Sequence, residues 1–220
     1  MYQENFGKVM EIIIGCMAFA TSVINVILTY LETSEDGTYS KIFNNFDYAA
    51  CCLFLISYTL KWYVATHRFQ YIFSLMSVLD LFIFMPTLIM IEPTEKNKFT
   101  VLILFSRYIR SIIFFLILQR YFKLGQSDVD RQINIVFMTM VLLTYIASGM
   151  YAVVENRQRN DENRKLPKED QLNILQFHDS VYFVIVSLAT VGYGDEIPMS
   201  EFGRVIVLFI IFFTIVLIPA

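Results

Sequence analysis

Apolar runs about twenty residues long constrain this chain more than any other feature. A helix needs roughly 20 consecutive apolar residues to cross the hydrocarbon layer. Val9–Leu31, Phe46–Ala65, Tyr71–Ile91, Phe99–Leu124, Val129–Val154 and Phe202–Ala220 all reach about that length. With 56% hydrophobic and 17% charged residues in 220, the composition is unlike that of a soluble domain. The N-terminus lacks the basic region and small-residue cleavage site of a signal peptide, so the first run is expected to stay as a span. Net charge is −3 and no basic stripe points to nucleic acid. Cys16, Cys51 and Cys52 have no metal-ligand spacing and read as small buried hydrophobes. An all-α, multi-pass membrane protein with six transmembrane helices follows.

A seventh apolar stretch, Leu172–Ala189, is shorter and leads straight into Thr190-Val191-Gly192-Tyr193-Gly194-Asp195. Backbone at membrane depth must be sheltered by protein, so a re-entrant pore helix is expected here. Thr190–Gly194 resembles the selectivity filter of potassium channels, in which backbone carbonyls replace the hydration shell of the ion. That resemblance implies K⁺ held at Thr190, Val191, Gly192 and Tyr193. The residue types suit the task. A chain of L-residues in one conformation alternates its carbonyls, whereas Gly192 and Gly194 tolerate the left-handed angles that align them. Tyr193 is expected to brace the loop from behind, and Thr190 to add a hydroxyl oxygen at its inner end. Potassium-channel pore helices carry aromatics seven and eight residues before the filter threonine, and Tyr182 and Phe183 occupy those places. Tyr182 is expected to bond Asp195, and Phe183 to pack on Tyr193. One filter loop without an internal copy closes no ring, so a homotetramer in the lipid bilayer is expected.

Basic residues near span ends orient the chain. Lys61, His67, Arg68, Arg120, Lys123 and Arg131 mark the cytoplasmic face, and the acidic first loop lies opposite. Asp195, Glu196 and Glu201 then face outside as acidic rings that gather cations. Glu155–Asp170, charged with both signs, reads as a solvated turret. His178 beside Asp179 reads as an ordinary helix start.

Ionisable residues inside spans are costly and are usually paired or functional. Arg107 and Arg110 are three apart and share a helix face. Asp47 and Asp80 are their expected partners, with Glu32 near the outer edge. A voltage sensor and a static scaffold of ion pairs both fit this pattern. Two arginines in each of four subunits supply at most roughly 18 kcal/mol per 100 mV, enough to gate.

Phe46-Asp47-Tyr48-Ala49, Leu60-Lys61-Trp62, Val78-Leu79-Asp80-Leu81-Phe82, Arg107-x-x-Arg110 with Ile117-Leu118-Gln119, and Phe202-Gly203-Arg204 together resemble the Slo-type potassium channels, which are opened by intracellular ions. The resemblance implies a voltage-gated-like K⁺ channel fold. Residues 1–125 would form a voltage-sensor-like domain and 126–220 a pore domain, with span 129–154, turret 155–171, pore helix 172–189, filter 190–195 and span 202–220. It also implies gating charge spread over Asp47, Lys61, Asp80, Arg107 and Arg110. A cytoplasmic gating ring beyond residue 220, with Ca²⁺ or Na⁺ as activator, and residence in the plasma or an intracellular membrane are further implications. The departures are a sparse fourth span, with Leu104 and Ile113 where further arginines would fall, and Phe213-Thr214 in place of paired glycine. Voltage dependence is therefore expected to be weak. A purely voltage-gated channel and a non-conducting subunit are the alternatives; no nucleophile–base pair or metal spacing points to an enzyme.

Overall fold

The structure is a computed structural model and describes residues 2–31, 38–64, 68–74, 77–78, 80–81, 100–121, 127–167 and 170–217. Glu32, Pro86, Glu92–Lys98 and Lys123 lie outside them. The described residues are helical or irregular, with no strand among them. The helices are α1 (Tyr2–Leu31), α2 (Thr38–Val64), α3 (Arg68–Ile72), α4 (Thr100–Ile109), α5 (Ser111–Tyr121), α6 (Asp128–Asn163), α7 (Phe177–Leu188) and α8 (Glu201–Leu217). Two of them contain stretches long and apolar enough to cross a membrane, Val9–Tyr30 and Asp128–Asn163. The chain divides into two compact units, Met1–Gln132 and Ile133–Ala220.

In the first unit the usual polarity of a helix is inverted. On α1 the buried positions are Ile14, Gly15, Ala18, Thr21, Ser22, Asn25 and Leu28, gathered on one helical face. Thr21, Ser22 and Asn25 among them are polar, whereas exposed Ile13, Phe19 and Ile27 are apolar. An apolar outside around a partly polar inside is what hydrocarbon solvent selects. Thr21 returns its hydroxyl to the Ala18 carbonyl at 2.9 Å, which satisfies it within the helix. On α2 the buried face is Phe43, Asp47, Ala50, Cys51, Phe54 and Ser57, again at helical spacing. Ile14, Ala18, Ala50, Cys51 and Phe54 form the core, with Met17, Tyr58, Leu81 and Ile113 against it. The α1–α5 contact is close: a Cβ on Gly15 would lie 2.7 Å from Ile117 Cδ1, and the Phe19 and Phe114 rings stack at 4.6 Å. A side chain there would have to push the end of Ile117 aside, whereas the Phe114 backbone at 3.5 Å leaves ordinary contact. Of the three cysteines, only Cys51 is buried, while Cys16 and Cys52 are exposed.

Within the expected fourth span, Phe99–Leu124, the described residues 100–121 form two helices meeting at Arg110. The Ile113 amide reaches back only three residues to the Arg110 carbonyl, at 3.0 Å, which tightens the turn there.

In the second unit the core is Ala147, Tyr151, Leu175, Phe183, Val184 and Ile210. Helix α6 runs nine residues past Val154, so the first half of the expected loop is helix. Its polar positions meet at helical spacing, as in the Gln158–Glu162 bond of 2.9 Å. The expected pore helix begins at Phe177 rather than Leu172, because Leu172, Asn173 and Leu175 give their backbone groups to Asn163, Arg159 and Asn156 on α6.

Candidate functional site: a filter loop and a buried charge cluster

Helix α7 starts where Asp179 accepts the Gln176 amide at 3.1 Å. His178 Nε2 lies 3.2 Å from the same carboxylate, so it takes part in the helix start. The other end of α7 leads into the candidate filter, Thr190–Gly194. Thr190 N donates to the Ser187 carbonyl at 3.1 Å, and Val191 N to the Val186 carbonyl at 3.1 Å. These two bonds form a Schellman closure, whose next-to-cap position needs a left-handed residue, usually glycine. Here that residue is Thr190, with φ 58°. Gly192 and Gly194 follow at φ 56° and 77°. Every second residue from 190 to 194 is therefore left-handed. Reversing handedness at alternate residues is the backbone condition for successive carbonyls to share one side. The glycines were legible in the sequence; the β-branched Thr190 in this conformation was not.

Beyond the filter, the Tyr182 hydroxyl donates to Asp195 Oδ2 at 2.8 Å, within one chain. The Glu196 amide donates to Asp195 Oδ1 at 3.0 Å. Phe183 departs from expectation: its ring stacks on Tyr151 at 4.4 Å, inside the core. Neighbours on a helix point about 100° apart, so when Tyr182 faces the filter loop Phe183 turns inward. Val191 and Tyr193 are exposed in the single chain.

The Tyr182 hydroxyl, more than any other group, holds the Asp195 carboxyl below its ordinary range. The stabilisation from a depressed carboxylate is complete above its unfolded pKa, about 3.9, and is lost as pH falls through the folded value. Tyr182→Phe removes the main cause and should move the Asp195 titration back up towards the ordinary carboxylate range. Carboxyl-carbon NMR titration of Asp195 in both proteins checks this; coincident curves would refute it.

The sequence reading missed the residues that hold this loop from behind. Glu155, read as solvated, is fully buried. Its carboxylate accepts the Met199 amide (3.1 Å), the Ser200 amide (3.2 Å) and the Ser200 hydroxyl (2.7 Å). Ser200 Oγ in turn accepts the Gly203 amide at 2.8 Å, capping α8. An anion at a helix N-terminus is also favoured by the dipole. A Cβ on Gly203 would overlap Glu155 Oε1 and lie 2.7 Å from Ser200 Oγ. Gly203→Ala should therefore destabilise the folded chain by roughly 1–3 kcal/mol. Thermal unfolding in detergent measures this, and a wild-type midpoint would contradict it.

Asn156 and Asn163 complete the anchor. Asn156 donates to the Leu175 carbonyl (2.8 Å) and accepts its amide (2.7 Å). Asn163 does the same with Leu172, at 2.8 and 2.6 Å. Seven helical residues rise about 10.5 Å and three extended residues about 10 Å, so the two ladders match. Asn156, Arg159 and Asn163, at i, i+3 and i+7, were the legible signal of a shared face.

The second cluster lies in the first unit. Arg107 Nε donates to Asp47 Oδ2 at 2.9 Å, and Arg110 Nη1 donates to Asp47 Oδ1. Asp47 and Arg110 are fully buried and Arg107 nearly so. Arg107 also reaches Asn44 at 2.9 Å and Asn25 at 3.5 Å, with its guanidinium 4.8 Å over the Phe43 ring. Arg110 Nη2 lies 3.1 Å from Cys51 Sγ, and its guanidinium 5.7 Å from the Phe54 ring. Asp80, expected to meet an arginine, instead pairs with Lys61 at 3.4 Å. That pair lines a small cavity with Ile14, Phe54, Ser57, Tyr58 and Ile113. Phe54 thus lies beside Arg110 and also lines the cavity of the Lys61–Asp80 pair.

Comparison with known proteins agrees with this architecture. A potassium channel K2 of Plasmodium berghei is 34% identical over 87 residues, 40% of this chain and 6% of that protein. A hyperpolarization-activated voltage-gated potassium channel of Methanocaldococcus jannaschii is 21% identical over 208 residues, 94% of this chain and 89% of that protein. Potassium channel subfamily U member 1 of Rattus norvegicus is 22% identical over 215 residues, 97% of this chain and 18% of that protein. The chain thus spans a small part of the first and last of these relatives and most of the second. The sequence pattern of ion transport proteins matches residues 7–219. The chain belongs to the ion transport protein family.

Proposed function

We propose that this protein is the subunit of a potassium-selective channel, six spans and one re-entrant helix per chain, with four copies around a pore lined by Thr190–Gly194. The observation that carries the reading is the left-handed backbone at Thr190, Gly192 and Gly194, which suits a row of aligned carbonyls. Exposed apolar side chains on α8, among them Phe202, Leu208, Phe209 and Phe212, suit contact with other copies and lipid. Relatives named as potassium channels support the choice of ion. The Arg107–Arg110–Asp47 cluster and the Lys61–Asp80 pair are the voltage-sensing elements of this reading.

A cytoplasmic domain that binds Ca²⁺ or Na⁺ would complete a Slo-type channel, and the motif resemblance supports it. A purely voltage-gated channel is the second reading. It is favoured by the archaeal relative, which the match covers over 89% of its length and whose name states voltage gating. Purified protein in liposomes with a K⁺ gradient and a proton ionophore tests transport: proton uptake that follows K⁺ efflux is expected, and no uptake would reject it. In patches, current that rises with cytoplasmic Ca²⁺ or Na⁺ at fixed voltage selects the first gating scheme. Response to voltage alone selects the second.

A further inference from the structure

The geometry points to Arg159 as the residue that sets the electric charge ions meet at the outer mouth, by neutralising Glu196 while joining the two flanks of the filter loop. This rests on the channel reading. Arg159 stands on α6, its side chain 12% exposed. Nη1 donates to the Asn173 carbonyl at 2.9 Å, in the segment that enters α7. Nη2 donates to Glu196 Oε2 at 3.0 Å, two residues past Gly194. One planar guanidinium thus spans the chain before the pore helix and the chain after the filter, a task its fixed fork of donors suits better than a lysine.

The electrostatic consequence differs from a count of acids. Asp195 is held by neutral donors, the Tyr182 hydroxyl and the Glu196 amide, so it keeps its full negative charge. Glu196, beside it in sequence, is matched by a guanidinium at ion-pair distance. Of these two adjacent acids, Asp195 keeps its charge while that of Glu196 is masked; exposed Glu201, at the start of α8, is unaffected by the pair. Removing the guanidinium unmasks one further negative charge per chain, four around a tetramer. Removing the Glu196 carboxylate leaves one positive charge in each chain. Charge at a narrow mouth alters local cation concentration, and the effect fades as salt shortens the screening length.

Single-channel conductance of the full chain, in symmetric KCl at about 0.01 M and about 1 M, tests the assignment; the screening length falls from roughly 30 to 3 Å between them. Arg159→Gln should raise conductance about twofold at low salt and leave it unchanged at high salt. Glu196→Gln should lower it at low salt, and the double variant Arg159→Gln/Glu196→Gln should return to wild type. Arg159→Lys keeps the charge without the fork, so conductance should hold while open dwells shorten. A purely structural clip would change dwell times in every variant and conductance in none, which overturns the proposal. If Arg159→Gln yields no channels, Glu196→Gln decides alone: unchanged low-salt conductance overturns it. Absence of K⁺ current in the wild type would instead refute the channel reading.

Discussion

Gly192→Ala should abolish potassium current while leaving the protein folded. The cause is handedness rather than bulk: Gly192 sits at φ 56°, and a Cβ there would meet nothing within 4 Å in its own chain. Holding an L-residue in that region costs about 1–2 kcal/mol. Four copies sharing one pore would bear about 4–8 kcal/mol together, which depopulates the aligned state a thousandfold or more. The mechanism has a sharp control. D-alanine at 192, introduced by semisynthesis, favours positive φ and should restore current despite carrying the same methyl group. Equal loss with both enantiomers would show that the methyl, not the backbone sign, is responsible. Thermal unfolding should barely differ between the two proteins, since the site is open.

Asp47→Asn should have the largest effect on the first unit. Asp47 is fully buried and faces two guanidiniums through different oxygens. The amide keeps the shape and removes the charge, leaving Arg107 beside neutral acceptors such as Asn44 and Asn25, and Arg110 beside Cys51 Sγ. Breaking a buried pair in this way costs roughly 3–5 kcal/mol. At about 2–4 °C per kcal/mol for a chain of this size, the unfolding midpoint should fall by roughly 6–20 °C. Adding Arg107→Gln to Asp47→Asn restores the charge balance and should recover much of that loss. A midpoint within a degree or two of wild type would refute the cluster as drawn. Where the arginines move with voltage, the same variant shifts the half-activation voltage; a static scaffold leaves it in place.

These sites differ in how far the sequence discloses them. Gly192 and Gly194 announce their conformation, because glycine alone enters the left-handed region at little cost. Thr190 does not, since its strain is imposed by the bonds that close α7 on Val186 and Ser187. Asp47, Arg107 and Arg110 stand out because charge is rare in apolar runs. Which acid each base meets is decided by packing: α2 places Asp47 beside both arginines and leaves Asp80 to Lys61. Glu155 was illegible for a plainer reason. A carboxylate in a charged stretch reads as solvated, and only the fold brings it to the amides of Met199 and Ser200. The extent of α6 was misread with it, whereas the Asn156–Arg159–Asn163 face could have corrected both.

The central claim is potassium selectivity at the Thr190–Gly194 loop. Its most direct test is the reversal potential of current through the purified full-length protein, with K⁺ on one side of the bilayer and Na⁺ on the other. Reversal displaced strongly toward the K⁺ equilibrium potential, and abolished with the current in Gly192→Ala, is the predicted result. Current reversing near zero, or persisting unchanged in Gly192→Ala, would contradict the account.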